Sequence, residues 1–111
     1  MSETSSNPQC MSDPQEVVHI DGSFEPLMPR FMANRKKEIV TMRQALTAED
    51  FETVRRVAHG MKGVGGSYGL DRVTELAATI EQAAKAADAT TIHHQLHILE
   101  SYLNNIQIAY D

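Results

Sequence analysis

The sequence predicts an all-α fold, an antiparallel up-down-up-down four-helix bundle with a short or kinked N-terminal helix. Three observations carry this. From Phe24 onward apolar residues recur every three or four positions, the period of an amphipathic helix, with no strand-like alternation. The stretches between the periodic segments are short, which places consecutive helices antiparallel. The chain of 111 residues, 41% apolar, suffices for one small domain with a single core and leaves no room for a second.

Residues 1–16 are rich in Ser, Pro, Asn, Gln and acidic side chains and have almost nothing to bury, so they are expected to form a disordered polar tail before a bundle domain over 17–111. In the first helix Leu27, Met28, Phe31, Met32, Ile39, Met42 and Leu46 fall largely on one face, and the segment is expected to end near Ala45. Pro26 suits a first turn. Pro29 would remove a hydrogen bond and clash one turn back, hence the short leading helix or kink. The second helix is expected to start at Thr47-Ala48-Glu49-Asp50, with the Thr47 hydroxyl as cap, and to bury Phe51, Val54, Val57 or Ala58, Met61 and Val64. A third, from about Leu70 to Ala87, turns Leu70, Val73, Leu76, Ala77, Ile80 and Ala84 inward. The fourth, from about Thr90 to Tyr110, carries Ile92, Leu96, Leu99, Leu103, Ile106 and Tyr110 in the alternating four-three spacing of knobs-into-holes packing. The six methionines read as core filler.

Composition excludes several function classes. A formal net charge of -5 argues against a nucleic-acid partner, which would ask for a basic balance or patch. No segment approaches a membrane span or a signal peptide, so no membrane partner and a cytoplasmic location are expected. Cys10 is the one cysteine; it has no intramolecular disulfide partner and fits a reducing compartment. The domain is expected to be monomeric.

Five of the six glycines crowd into Gly60–Gly69, around His59 and Lys62. Inside a helix each would cost about 1 kcal/mol relative to alanine, against a total stability of about 5–15 kcal/mol, so something else must want bare backbone there. On a helix His59 shares a face with Arg55, Lys62, Gly63 and Gly66, away from the apolar stripe, and is expected to be exposed. A neutral imidazole is a competent nucleophile near its reference pKa of about 6.5. Phosphoryl transfer asks mainly for in-line access and for charge cancellation on the phosphoryl oxygens. Lys62 supplies charge; the glycines supply access. The competing explanation is a helix C-terminus, with glycine caps, His59 and Lys62 complementing the dipole, and Gly65-Gly66 opening a turn. A nucleotide cradle does not fit, because the glycines lack the Gly-x-Gly-x-x-Gly spacing and follow a helix instead of a strand.

Ala58-His59-Gly60-Met61-Lys62-Gly63, followed by Gly66 and Tyr68-Gly69-Leu70, resembles the phosphoacceptor signature of histidine phosphotransfer (HPt) domains, in which His-x-x-Lys-Gly precedes small residues and a further glycine. Arg30-Phe31-Met32, Leu46 to Phe51 and Leu76 to Ala84 stand at matching offsets, so the resemblance covers roughly Phe24 to Tyr102. It implies a stand-alone phosphorelay carrier of bacterial type, with His59 accepting a phosphoryl group from a receiver-domain aspartate and passing it to another receiver. Lys62 would then screen the phosphoryl group and Gly63 keep the site open, with Gly66 and Gly69 at the small positions leading to the next helix. Glu81 or Gln82 would stand near the imidazole. The implied partners are receiver domains of hybrid histidine kinases and response regulators. The carrier would have no cofactor of its own, Mg²⁺ belonging to the receiver, and no kinase or nucleotide-binding activity. Gly60 departs from the family, which more often has a longer or branched residue there. Arg55 and Arg56 are candidate contacts to an acidic receiver surface, though solvated helix-face charges are the simpler explanation for each.

Two other classes compete. His93 and His97, one turn apart on the last helix with His94 beside them, have the spacing of a zinc-ligand pair, although spacing supplies no third ligand. A degenerate adaptor would keep the fold and bind receivers without phosphotransfer; the presence of His59, Lys62 and Gly63 argues against it.

Overall fold

The computed structural model describes residues 16–111, in which four helices build the expected bundle. The helices are α1 (Met28–Thr47), α2 (Phe51–Ser67), α3 (Asp71–Lys85) and α4 (Ala89–Asn105). The predicted tail, Cys10 included, lies outside the described residues except for Glu16. A 3₁₀ helix over Gly22–Leu27 precedes α1, so the two prolines are divided as their chemistry requires. Pro26 sits in the short helix, and Pro29 takes the first turn of α1, where its missing N–H has no partner to lose.

All three interhelical turns use one device. The residue after each C-cap adopts positive φ, Glu49 at 58°, Gly69 at 81° and Ala87 at 54°. The next amide then reaches back to the helix: Asp50 N–H to Ala45 C=O, Leu70 N–H to Gly65 C=O and Asp88 N–H to Ala83 C=O, at 2.8–2.9 Å. This Schellman closure satisfies carbonyls that the helix end would leave free. In two turns the same residue starts the next helix. Asp50 accepts from the Thr53 amide and hydroxyl, and Asp88 from those of Thr91. These bonds hold both carboxyls below their ordinary range. The expected cap is thereby corrected: Thr47 is the last residue of α1 and bonds Arg43 C=O, because the turn needs the three residues Ala48, Glu49 and Asp50 before α2 can begin.

The predicted stripes form the core. Ile39, Met42, Val54, Ala58, Met61, Leu70, Val73, Ile80, Ile92, Leu96 and Leu99 are buried with almost no exposure, while Phe51, Val57 and Val64 pack at its margin. Ala58, rather than Val57, faces inward.

The far end of the chain departs from expectation. α4 stops at Asn105, and Ile106 is extended. Gln107–Tyr110 then forms a strand, β2, parallel to β1 (Val17–Ile20), with Val17 opposite Gln107 and Ile20 opposite Tyr110. Ile106 and Tyr110 fit a helical four-three spacing, but Ile106, Ile108 and Tyr110 also fit a period of two, and the partner strand decides between them. Ile20 is buried, and its Cγ1 lies 3.9 Å from where a Cβ on Gly69 would stand, so the ribbon ties both ends of the domain to the α2–α3 turn.

Candidate functional site

α2 runs unbroken through the glycines to Ser67, so Gly60, Gly63, Gly65 and Gly66 are all helical, and the turn comes later, at Gly69. The alternative in which Gly65-Gly66 opens a turn is thereby corrected. The propensity cost is met, and the surroundings show two separate uses for it. A Cβ on Gly60 or Gly63 would meet nothing within 4 Å; both face open space. A Cβ on Gly65 would stand 2.8 Å from Thr74 Oγ1, 3.0 Å from Thr74 N and 3.1 Å from Val73 Cβ, so there the bare backbone lets α3 approach. Gly66, also beside Thr74, would accommodate a Cβ at ordinary contact distance, 3.5 Å from Oγ1.

His59 projects from the middle of α2 with its side chain 64% exposed, as its helical phase predicts. Beneath it lies Glu81 of α3, only 4% exposed. One carboxylate oxygen, Oε2, is 2.9 Å from His59 Nδ1; the other, Oε1, is 2.8 Å from Lys62 Nζ. Of the two candidates on α3, Glu81 therefore stands against the imidazole and Gln82 is exposed, because one residue step turns a side chain by about 100° around the helix. Burying a carboxylate is costly unless it is paired, and here both oxygens face cationic or N–H groups. The Lys62 ammonium does most to pull the Glu81 carboxyl down to about 2; the His59 bond works in the same direction, and burial opposes both.

The ionised carboxylate can only accept, so Nδ1 carries the proton. The free lone pair is then on Nε2, at the exposed edge of the ring. The site combines an exposed imidazole, an ammonium one turn along the helix, and two open glycines, Gly60 and Gly63, just beyond it on the same helix.

Arg55 and Arg56 lie one turn before His59 on α2. Arg55 is engaged by Glu52, with Nε 3.0 Å from Oε1, whereas Arg56 is exposed and forms no ion pair among the described residues. His93, His94 and His97 are exposed on α4, and no group of three or more His, Cys, Asp or Glu among the described residues stands together as a metal site. Sequence reasoning missed Thr74, whose hydroxyl donates to the Lys62 carbonyl at 2.8 Å across the α2–α3 seam. It also missed the buried Arg35, which stacks on Phe31 at 4.8 Å and chelates Glu38. Thr74 breaks no helical pattern, so only the packing reveals it, whereas Arg35 stands four residues from both Phe31 and Ile39 on the buried stripe, a charged residue at an apolar position that could have marked it.

A family model for the Hpt domain matches residues 27–109, most of the chain. The chain belongs to the Hpt domain family. Hpt domains are phosphoryl carriers that act with receiver domains in phosphorelays, and the helical bundle here is of that kind. Neither the search of curated proteins nor that of solved structures returned a match. No helix among the described residues of this Hpt chain is long and apolar enough to cross a membrane.

Proposed function

We propose that this Hpt chain takes a phosphoryl group on His59 Nε2 from the aspartyl phosphate of one receiver domain and hands it to the aspartate of another. The supporting observation is the Glu81 carboxylate 2.9 Å from Nδ1 of an exposed imidazole: with the proton on Nδ1 to bond it, the Nε2 lone pair is free to attack. Nε2 attacks phosphorus as the bond to the aspartate oxygen breaks and the carboxylate leaves. The imidazole then holds phosphorus on one nitrogen and a proton on the other. Its positive charge rests against Glu81, and because the ring departs as a neutral imidazole, onward transfer is easy. Lys62 lies one turn away to offset charge on the phosphoryl oxygens, and Gly63 and Gly60 leave room for the incoming receiver.

Charge distribution supports an acidic partner. The span Met28–Ser67 holds eight of the ten Lys and Arg residues but four of the fifteen Asp and Glu residues, so α1 and α2 are basic within an acidic chain. Arg56 is the free cation of this group nearest in sequence to His59, and Arg55 is partly neutralised by Glu52. The carrier acts without a cofactor, kinase or nucleotide site of its own, the receiver supplying the catalytic metal ion.

The test is transfer of labelled phosphoryl from a phosphorylated receiver. Acid-labile, alkali-stable label is expected on the wild type and absent from His59→Gln. A folded wild type that takes no label from any hybrid-kinase receiver of its organism would overturn the reading. Receiver binding retained by that unlabelled protein would indicate an adaptor.

A further inference from the structure

We propose that Thr74, set against the bare backbone of Gly65, is a positioning residue: it fixes the α2–α3 spacing that keeps Glu81 on His59 Nδ1. The inference rests on the reading of His59 as acceptor. Thr41, Thr47 and Thr79 show what a helical threonine ordinarily does, each bonding the carbonyl four residues back in its own helix at 3.1–3.2 Å. Thr74 instead donates across the seam to Lys62 C=O at 2.8 Å. Its approach depends on Gly65, where any side chain would collide with the Thr74 hydroxyl and backbone nitrogen.

Lys62 is consequently held at both ends, its carbonyl by Thr74 and its ammonium by Glu81. Thr74 and Glu81 are seven residues apart on α3, two turns and about 10 Å along the axis, yet both reach Lys62, and Glu81 also reaches His59 one turn before it. A hydrogen bond to a carboxylate weakens steeply as the helices separate, and with it goes the preference for a proton on Nδ1. Thr74 touches no reacting atom. Its effect reaches the phosphoryl acceptor through the tautomer of His59.

The test reads the imidazole directly. Two-bond ¹H–¹⁵N spectra of the unphosphorylated protein are expected to show His59 with the proton on Nδ1 in wild type and in Thr74→Ser, and a mixture of tautomers in Thr74→Val and Gly65→Ala. Phosphorylation by phosphoramidate, a small donor that needs no docking surface, should be about two- to tenfold slower in Thr74→Val and restored in Thr74→Ser. Thr74→Val with the wild-type spectrum and rate would overturn the proposal, as would a Thr74→Ser that fails to restore them. Should Thr74→Val not fold, Gly65→Ala and Thr74→Ser decide by the same spectra. The tautomer signal needs no phosphotransfer, so it stands apart from the His59→Gln experiment.

Discussion

The outer face of α2 and its seam with α3 draw on the same few glycines for opposite purposes. On the outer face, Gly60 and Gly63 border empty space beside an exposed histidine. In the seam, Gly65 lies so close to Thr74 and Val73 that no side chain fits. The first pair costs folding stability without improving packing, a cost that the proposed approach of a receiver would account for. The seam glycine offsets its own cost by bringing together the helices that carry His59 and Glu81. A run of one residue type thus divides into open and packed positions according to which way each faces.

The comparison breaks first at Gly65. Gly65→Ala is expected to destabilise the fold by about 1–3 kcal/mol through overpacking, a fall in Tm on the order of 10 °C by calorimetry. An unchanged or raised Tm would mean that the seam relaxes freely and that the contrast is false. Gly60→Ala and Gly63→Ala should move the other way, each raising stability by up to about 1 kcal/mol in denaturant titrations, since alanine suits a helix and nothing obstructs it. Bulk at position 63 sharpens the point: Gly63→Leu should keep the fold while slowing transfer from a receiver more than from phosphoramidate. Equal slowing of both would remove the access role.

A slope with pH tests the same seam by a different route. The Glu81 carboxyl is held at about 2 in the folded chain against an ordinary value of 4.5. A depressed carboxyl contributes stability that is complete above its unfolded value and is lost as pH falls through the folded one. The stability advantage of wild type over Glu81→Gln should therefore be constant above about pH 5 and shrink between about pH 4.5 and 2. A difference that stays flat across that window would place the ionised carboxylate elsewhere in the balance.

Much of this was legible beforehand because it is local. The spacing of Val54, Ala58 and Met61 in α2, and of Ile92, Leu96 and Leu99 in α4, sets which face is buried, and helical phase alone put His59 and Lys62 outside the core. The cap of α2 was misplaced by three residues, since Thr47 and Asp50 are both good caps and the choice depends on how the preceding turn closes. Gln107–Tyr110 carried a pattern compatible with either a helix or a strand, and its partner lies some ninety residues away in sequence.

The sequence by itself determined the helical bundle, the exposure of His59 and the nearness of Lys62 to it, because each depends on periods of three or four residues along one element. Tertiary structure alone decided that Glu81 rather than Gln82 lies beneath the imidazole, that Thr74 bonds across to Lys62, and that the two chain ends pair as strands. These outcomes depend on the rotation and spacing of one element against another, to within an ångström for a hydrogen bond, and no local pattern encodes a distance between helices.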